Sequence, residues 1–206
     1  MPRHVDHDAR RRRIADAVCD LIADRGIEGV TLRDVAARAE VSMGAVQRTF
    51  PTGDLMLGFA LDHIIAKTQE RGARRIDTSG SKGSAKTLLS ITLQEMSLAG
   101  SGQRAEATVW LTFTAAAAVR EDFRAVLREH HEKSGKLLAW LIDYGKNAGE
   151  IRPDLNTAGE TRALRTFVDG ITQHFALGLV TTRSAHRLID DHLRGWWTSR
   201  EAKTRS

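Results

Sequence analysis

The chain has 206 residues, 41% of them hydrophobic and 28% charged, and a formal net charge of +5. That balance excludes a disordered chain, and the length excludes a peptide or a bare linker while allowing one large or two modest domains with real cores. The positive charge permits a nucleic-acid partner, yet residues 1–75 hold 13 Lys and Arg against 11 Asp and Glu, so any DNA contact there has to come from arrangement.

The N-terminal stretch MPRHVDHDARRRR has no apolar h-region, and no run approaches the roughly eighteen apolar residues that a membrane helix needs. A cytoplasmic protein without membrane contact is the expectation. Prolines occur only at positions 2, 51 and 153, and apolar residues recur at spacings of three and four with no period-two runs, which predicts an all-α fold of about nine helices. The single cysteine, Cys19, cannot form an internal disulfide and lies on an apolar helix face, so it reads as a small buried thiol.

The first predicted helix runs over 8–25, with Ile14, Val18, Leu21 and Ile22 as its apolar stripe, and Gly26 ends it. The run Arg10 to Arg13 fits either a solvated helix start or an arm laid on phosphates. Thr31 with Asp34 makes a capping-box-like start for a short second helix. Ser42 caps a third, from Met43 to about Phe50, only a few residues further on. Two short helices so close together form a helix-turn-helix. Pro51 stops the chain, and Thr52 offers the N-cap of a fourth helix reaching toward Arg74.

The polar, glycine-rich segment 77–84 reads as a linker, which divides the chain into a DNA-binding domain over 8–76 and a second helical domain over 84–200. Further helices are predicted over 85–98, 103–118, 120–148, 157–180 and 184–198, with Thr157 and Glu160 as a second capping box. The last two carry broad apolar faces: Leu164, Phe167, Val168, Ile171, Phe175 and Leu179 on one, Leu188, Ile189, Leu193, Trp196 and Trp197 on the other. Such faces fit either a domain core or a helix-helix dimer interface.

A helix opening at Ser42 fits the major groove, where base edges are readable, with Met43, Gly44, Ala45, Gln47, Arg48 and Thr49 on it. Gln47 suits adenine, Arg48 suits guanine or a phosphate, and Met43 or Ala45 suits a thymine methyl. Thr31 and Thr52 can offer hydroxyl and backbone N–H groups to phosphates at helix N-termini.

Across residues 31–57 the spaced residues Thr31, Val35, Ala36, Ala39, Val41, Ser42, Gly44, Val46, Phe50, Thr52 and Leu55 resemble the tetracycline-repressor (TetR-type) family. That resemblance implies a transcriptional repressor whose C-terminal helices form a homodimer, enclose a small-molecule effector pocket and release a palindromic operator when the effector binds. It also matches Arg33 to a position that reaches bases or backbone in many members. Two positions depart from the pattern: Gln47 stands where the family has tyrosine, and Gly53 where it has lysine, both of them phosphate contacts. Arg48 or the Arg10 to Arg13 run is then expected to take a larger share of the backbone.

Aromatic and soft residues of the middle helices, Met96, Trp110, Phe113, Trp140, Tyr144 and Phe167, are the candidate pocket lining, although each fits core packing as well. No nucleophile elbow, phosphate loop, dinucleotide fingerprint or H-E-x-x-H occurs, and the histidines are not spaced as metal ligands, so neither an enzyme nor a metal or cofactor site is expected. A transcriptional activator with the same DNA-binding module is the alternative to a repressor.

Overall fold

A computed structural model describes residues 2–198, which form nine α-helices. They are α1 (Pro2–Arg25), α2 (Leu32–Arg38), α3 (Met43–Thr49), α4 (Gly53–Thr78), α5 (Ala85–Met96), α6 (Arg104–Ala117), α7 (Glu121–Asn147), α8 (Thr157–Ala176) and α9 (Thr182–Leu193). Short 3-10 turns span Ile27–Gly29 and Arg194–Trp196. The described residues contain no strand, and one isolated antiparallel bridge joins Ile151 to Trp197.

The helices gather into two compact units that are not contiguous in sequence. Unit 1 holds the chain up to Lys67 together with Gly102–Glu129, and unit 2 holds Thr68–Ser101 together with the chain from His130. In unit 1 the predicted α1 stripe of Ile14, Val18, Leu21 and Ile22 is buried almost completely, and α6 packs along the same helix. Each such side chain contributes about 1.5–3 kcal/mol by leaving water. Gly26, at φ 76°, reverses the chain after α1, its N–H closing on the Ile22 carbonyl. Phe113 of α6 meets Phe123 of α7 edge-on at 5.2 Å, and both are buried.

In unit 2, α5 packs against α8 and α9, and Leu89, Leu93, Leu164, Val168, Ile189 and Leu193 of these helices are buried. The last helices differ from the expected arrangement. α8 ends at Ala176, so Leu177 and Leu179 lie beyond it and are exposed. α9 spans Thr182–Leu193, and a 3-10 turn carries Trp196. Ile189, Leu193 and Trp196 are core, whereas Leu188 points to solvent.

The N-cap of α8 is Asn156 and not Thr157: the Asn156 Oδ1 accepts the Gly159 N–H at 3.1 Å. Asparagine is a strong cap, and the Thr157 hydroxyl is engaged elsewhere, donating to Asp143 at 2.6 Å. A full capping box occurs instead at Thr181 and Ser184, ahead of α9.

Gly145 lies inside α7, where alanine is intrinsically better by about 1 kcal/mol. A Cβ there would meet Ile151 Cδ1 at 2.5 Å and Ala85 Cβ at 2.8 Å. Overpacking of that kind costs about 1–3 kcal/mol. Gly145→Ala is therefore expected to lower the unfolding midpoint in a thermal melt, and a raised midpoint would show that α7 yields at this point.

Candidate nucleic-acid interface

Three local devices build the helix-turn-helix. The Thr31 hydroxyl accepts the Asp34 N–H at 3.2 Å and donates to the Asp34 carboxylate at 2.8 Å, which opens α2. The Ser42 hydroxyl accepts the Ala45 N–H at 3.2 Å and opens α3. Between them Glu40 sits in the left-handed region at φ 52°, and the Val41 N–H returns to the Ala36 carbonyl at 3.0 Å. Thr52 then accepts the Leu55 N–H at 3.2 Å at the start of α4.

Burial sorts the faces of α3. Val46 and the following Phe50 point inward, next to the buried Val35, Ala36 and Ala39 of the preceding helix. Gly44 and Arg48 lie opposite Val46 on the helical wheel, and Met43, Gln47 and Arg48 are exposed, Met43 at 50%. A Cβ added at Gly44 would meet only the Arg48 guanidinium, at 3.3 Å, so the open side of α3 is flat next to an arginine. Ala45 and Thr49 are half-buried on its flank, the Thr49 hydroxyl donating to the Ala45 carbonyl at 2.8 Å. Thr31, Arg33, Ser42, Thr52 and Gly53 are exposed around it. A single helix with one side open to solvent is the kind of element that the major groove admits.

The Arg10 to Arg13 run is divided by the fold. The Arg13 guanidinium donates to the Ala39 carbonyl at 2.8 Å, tying α1 to the end of α2. The Arg11 guanidinium stacks over Phe59 at 4.4 Å and Phe50 at 5.6 Å. Both arginines brace the helix-turn-helix, and Arg12 is exposed. The sequence could not show this inward use, because charge runs are read as solvated unless a partner is seen.

On the flank of unit 1, Asp16 accepts from His63 at 3.0 Å and Lys67 at 3.3 Å. Burial raises the Asp16 carboxyl, but these partners outweigh it and hold the group below its ordinary range. A cavity of about 180 Å³ adjoins the cluster. Cys19 borders it and donates to the Ala60 carbonyl, and burial, reinforced by Asp16, pushes its thiol up to about 12, which makes it unreactive at neutral pH. Among the described residues no group of His, Cys, Asp or Glu is placed to hold a metal ion.

The six candidate pocket residues fall in both units. In unit 1, Trp110 and Phe113 are buried, Phe113 completely. In unit 2, Met96 is half-buried, Phe167 stacks on His192 at 4.7 Å, and Trp140, 58% exposed, stacks on Tyr144 at 5.5 Å. The Tyr144 hydroxyl donates to the Gly83 carbonyl at 2.7 Å. None of the six lines the cavity described above or a second one, of about 240 Å³, between Lys86, Ser90, Asp190, Leu193, Arg194 and Trp197.

Comparison with known proteins agrees with this architecture. Residues 14–54 match the family described as bacterial regulatory proteins, tetR family, and residues 87–197 match the BetI-type transcriptional repressor C-terminal family. The HTH-type transcriptional regulator PksA of Bacillus subtilis is 30% identical over 195 residues, covering 94% of this chain and 92% of PksA. BetI of Burkholderia ambifaria is 35% identical over 82 residues, 37% of this chain and 42% of BetI. A transcriptional regulator of Saccharomonospora viridis crystallised with choline shares the fold, with a TM-score of 0.79 and 21% identity over 92% of this chain and 98% of its own. A TetR regulator of Haloarcula marismortui does so with a TM-score of 0.78 and 20% identity, over 93% and 100%. No helix among the described residues is long and apolar enough to cross a membrane. With a capped helix-turn-helix, a match across more than half of the chain and a relative aligned along nearly its whole length, this protein belongs to the TetR family of transcriptional regulators.

Proposed function

We propose that the protein is a transcriptional repressor of the cytoplasm that binds a palindromic operator as a homodimer and is released by a small-molecule effector. The observation that carries the reading is the open face of α3. Met43, Gly44, Gln47 and Arg48 are presented outward by a helix whose opposite side is locked into the core. In this reading Gln47 and Arg48 read bases, Met43 and Ala45 touch methyl groups, and Arg33 reaches bases or backbone. Thr31, Ser42, Thr49, Thr52 and Gly53 lie along the phosphates.

Dimerisation through α8 and α9 is supported by three large exposed apolar side chains, Leu177 and Leu179 just after α8 and Leu188 on α9. Release follows from linkage: an effector that prefers a spacing of the two reading heads unsuited to DNA lowers operator affinity, and DNA lowers effector affinity by the same factor. The choline held by the Saccharomonospora regulator of the same fold makes a quaternary ammonium the first effector class to test. The exposed Trp140, stacked on the half-buried Tyr144, offers such a cation an aromatic surface.

Selection from a random duplex pool, followed by footprinting, should return a palindrome with half-sites about one helical turn or more apart. A promoter reporter should then fall on expression of the protein and recover with millimolar choline or another effector. Failure to retain any duplex at low salt would overturn the DNA-binding reading. A reporter that rises would make the protein an activator.

A further inference from the structure

Asp54 is the second residue of α4, directly after the proposed phosphate contacts Thr52 and Gly53. Its side chain is 72% exposed. A bare carboxylate at this place would repel a duplex resting on the end of α4, and the lysine customary one residue earlier in the family is Gly53, so no neighbouring cation on the same turn offsets it. The cation comes instead from Arg120, in the corner between α6 and α7. One guanidinium nitrogen lies 2.7 Å from Asp54 Oδ1 and 2.5 Å from Asp122 Oδ2, while Nε donates to Asp122 Oδ1 at 3.1 Å.

The arginine is held before it reaches Asp54. Its guanidinium carbon stands 4.0 Å from the centre of the buried Phe123 ring, and the side chain is only 34% exposed. The corner itself is braced by Arg124, whose guanidinium donates to the carbonyls of Ala117 and Ala118 at 2.9 and 2.6 Å. An isolated surface pair contributes little because two long side chains must be ordered to make it. Here that ordering is already provided by the ring and by Asp122. Both partners belong to unit 1.

We propose that Arg120 is a positioning residue for operator binding, pairing with the Asp54 carboxylate as well as with Asp122 and so holding that end of α4 where the DNA backbone meets it. The proposal rests on the DNA-binding reading above. It differs from a direct phosphate contact in one respect: the need for Arg120 disappears when Asp54 has no charge.

The test is a double-mutant cycle on a duplex selected with the wild-type protein, read by fluorescence anisotropy at several salt concentrations. Arg120→Ala should weaken binding by about tenfold at low salt, since a dimer carries the change twice, and the gap should narrow as salt screens Asp54. Asp54→Asn alone should bind within about twofold of wild type or more tightly, and Arg120→Ala in the Asp54→Asn background should match Asp54→Asn within the same margin. Arg120→Gln, which keeps the shape over Phe123, should reproduce Arg120→Ala and so separate charge from packing.

Wild-type affinity in Arg120→Ala would overturn the proposal, and so would a loss that persists undiminished in the Asp54→Asn background. If the wild-type protein selects no duplex, the DNA-binding reading falls and this inference falls with it. If it selects one and Arg120→Ala binds it equally well, only the inference falls.

Discussion

Alanine at both Gln47 and Arg48 is expected to weaken operator binding by about a hundredfold or more, each bidentate base contact contributing about 1–3 kcal/mol of discrimination and each occurring twice in a dimer. The two side chains lie on the exposed side of α3, and the inward side of that helix is Val46, with Phe50 just beyond its end. Their loss should leave the thermal midpoint within about 2 °C of wild type, as surface substitutions do. Anisotropy titrations at fixed salt, paired with calorimetry, separate the two effects. Singly, Gln47→Ala should relax the preferred base at one half-site position, whereas Arg48→Ala should do so only if it reads guanine. If it grips phosphate instead, affinity should fall uniformly and the salt dependence should become shallower by about one unit per arginine. A double variant within about threefold of wild type would show that α3 is not the reading helix.

Glu95→Leu is expected to destabilise the protein by about 3 kcal/mol, a drop of roughly 6–12 °C in the thermal midpoint of a chain this size. Glu95 of α5 is buried, and its two oxygens take hydrogen bonds from Arg71 at 2.9 Å and Arg75 at 2.8 Å, both from the C-terminal part of α4. Arg75 also donates to the Gln94 amide oxygen at 2.6 Å. Leucine would remove the carboxylate that both guanidinium groups share and set an apolar side chain against them. The carboxyl carries a pH signature as well. Burial raises it, but Arg75 and Arg71 outweigh burial and hold it below its ordinary 4.5. Its contribution is therefore fully present above about pH 4.5 and is lost as pH falls through the lower folded value. Glu95→Gln keeps one acceptor oxygen and turns its amide NH2 toward the second arginine; it should cost less than leucine and lack this share of the acid slope below about pH 4.5. Identical acid slopes in Glu95→Gln and wild-type protein would show that the ion pairs do not link α4 to α5 energetically.

Recognition of the helix-turn-helix from sequence is possible because its determinants are local. Thr31, Ser42 and Thr52 each cap a helix within three residues of themselves, and Val35, Ala36, Ala39 and Val46 repeat at helical spacing. Sequence places the cap of α8 one residue late because Thr157-x-x-Glu160 satisfies the same local rule that Asn156 in fact fulfils. What lies out of reach is set by distant partners. Nothing near Arg11 and Arg13 announces Phe59 or the Ala39 carbonyl, and nothing near Arg120 announces Asp54. Phe113 and Trp140 look alike as aromatic pocket candidates, yet one is sealed against Phe123 and the other is open to water.

The grouping of α6 with α1 has a consequence for how such regulators can be recombined. The unit that carries the helix-turn-helix is assembled from two separated stretches of one gene, with α5 encoded between them. A chimera joined at the 79–84 loop would carry every capping residue of the helix-turn-helix and the whole face of α3, and would still pack α1 against the α6 of another protein. Exchange of DNA specificity between relatives should therefore succeed by swapping the face of α3 in place, and fail by transplanting the N-terminal segment as a cassette.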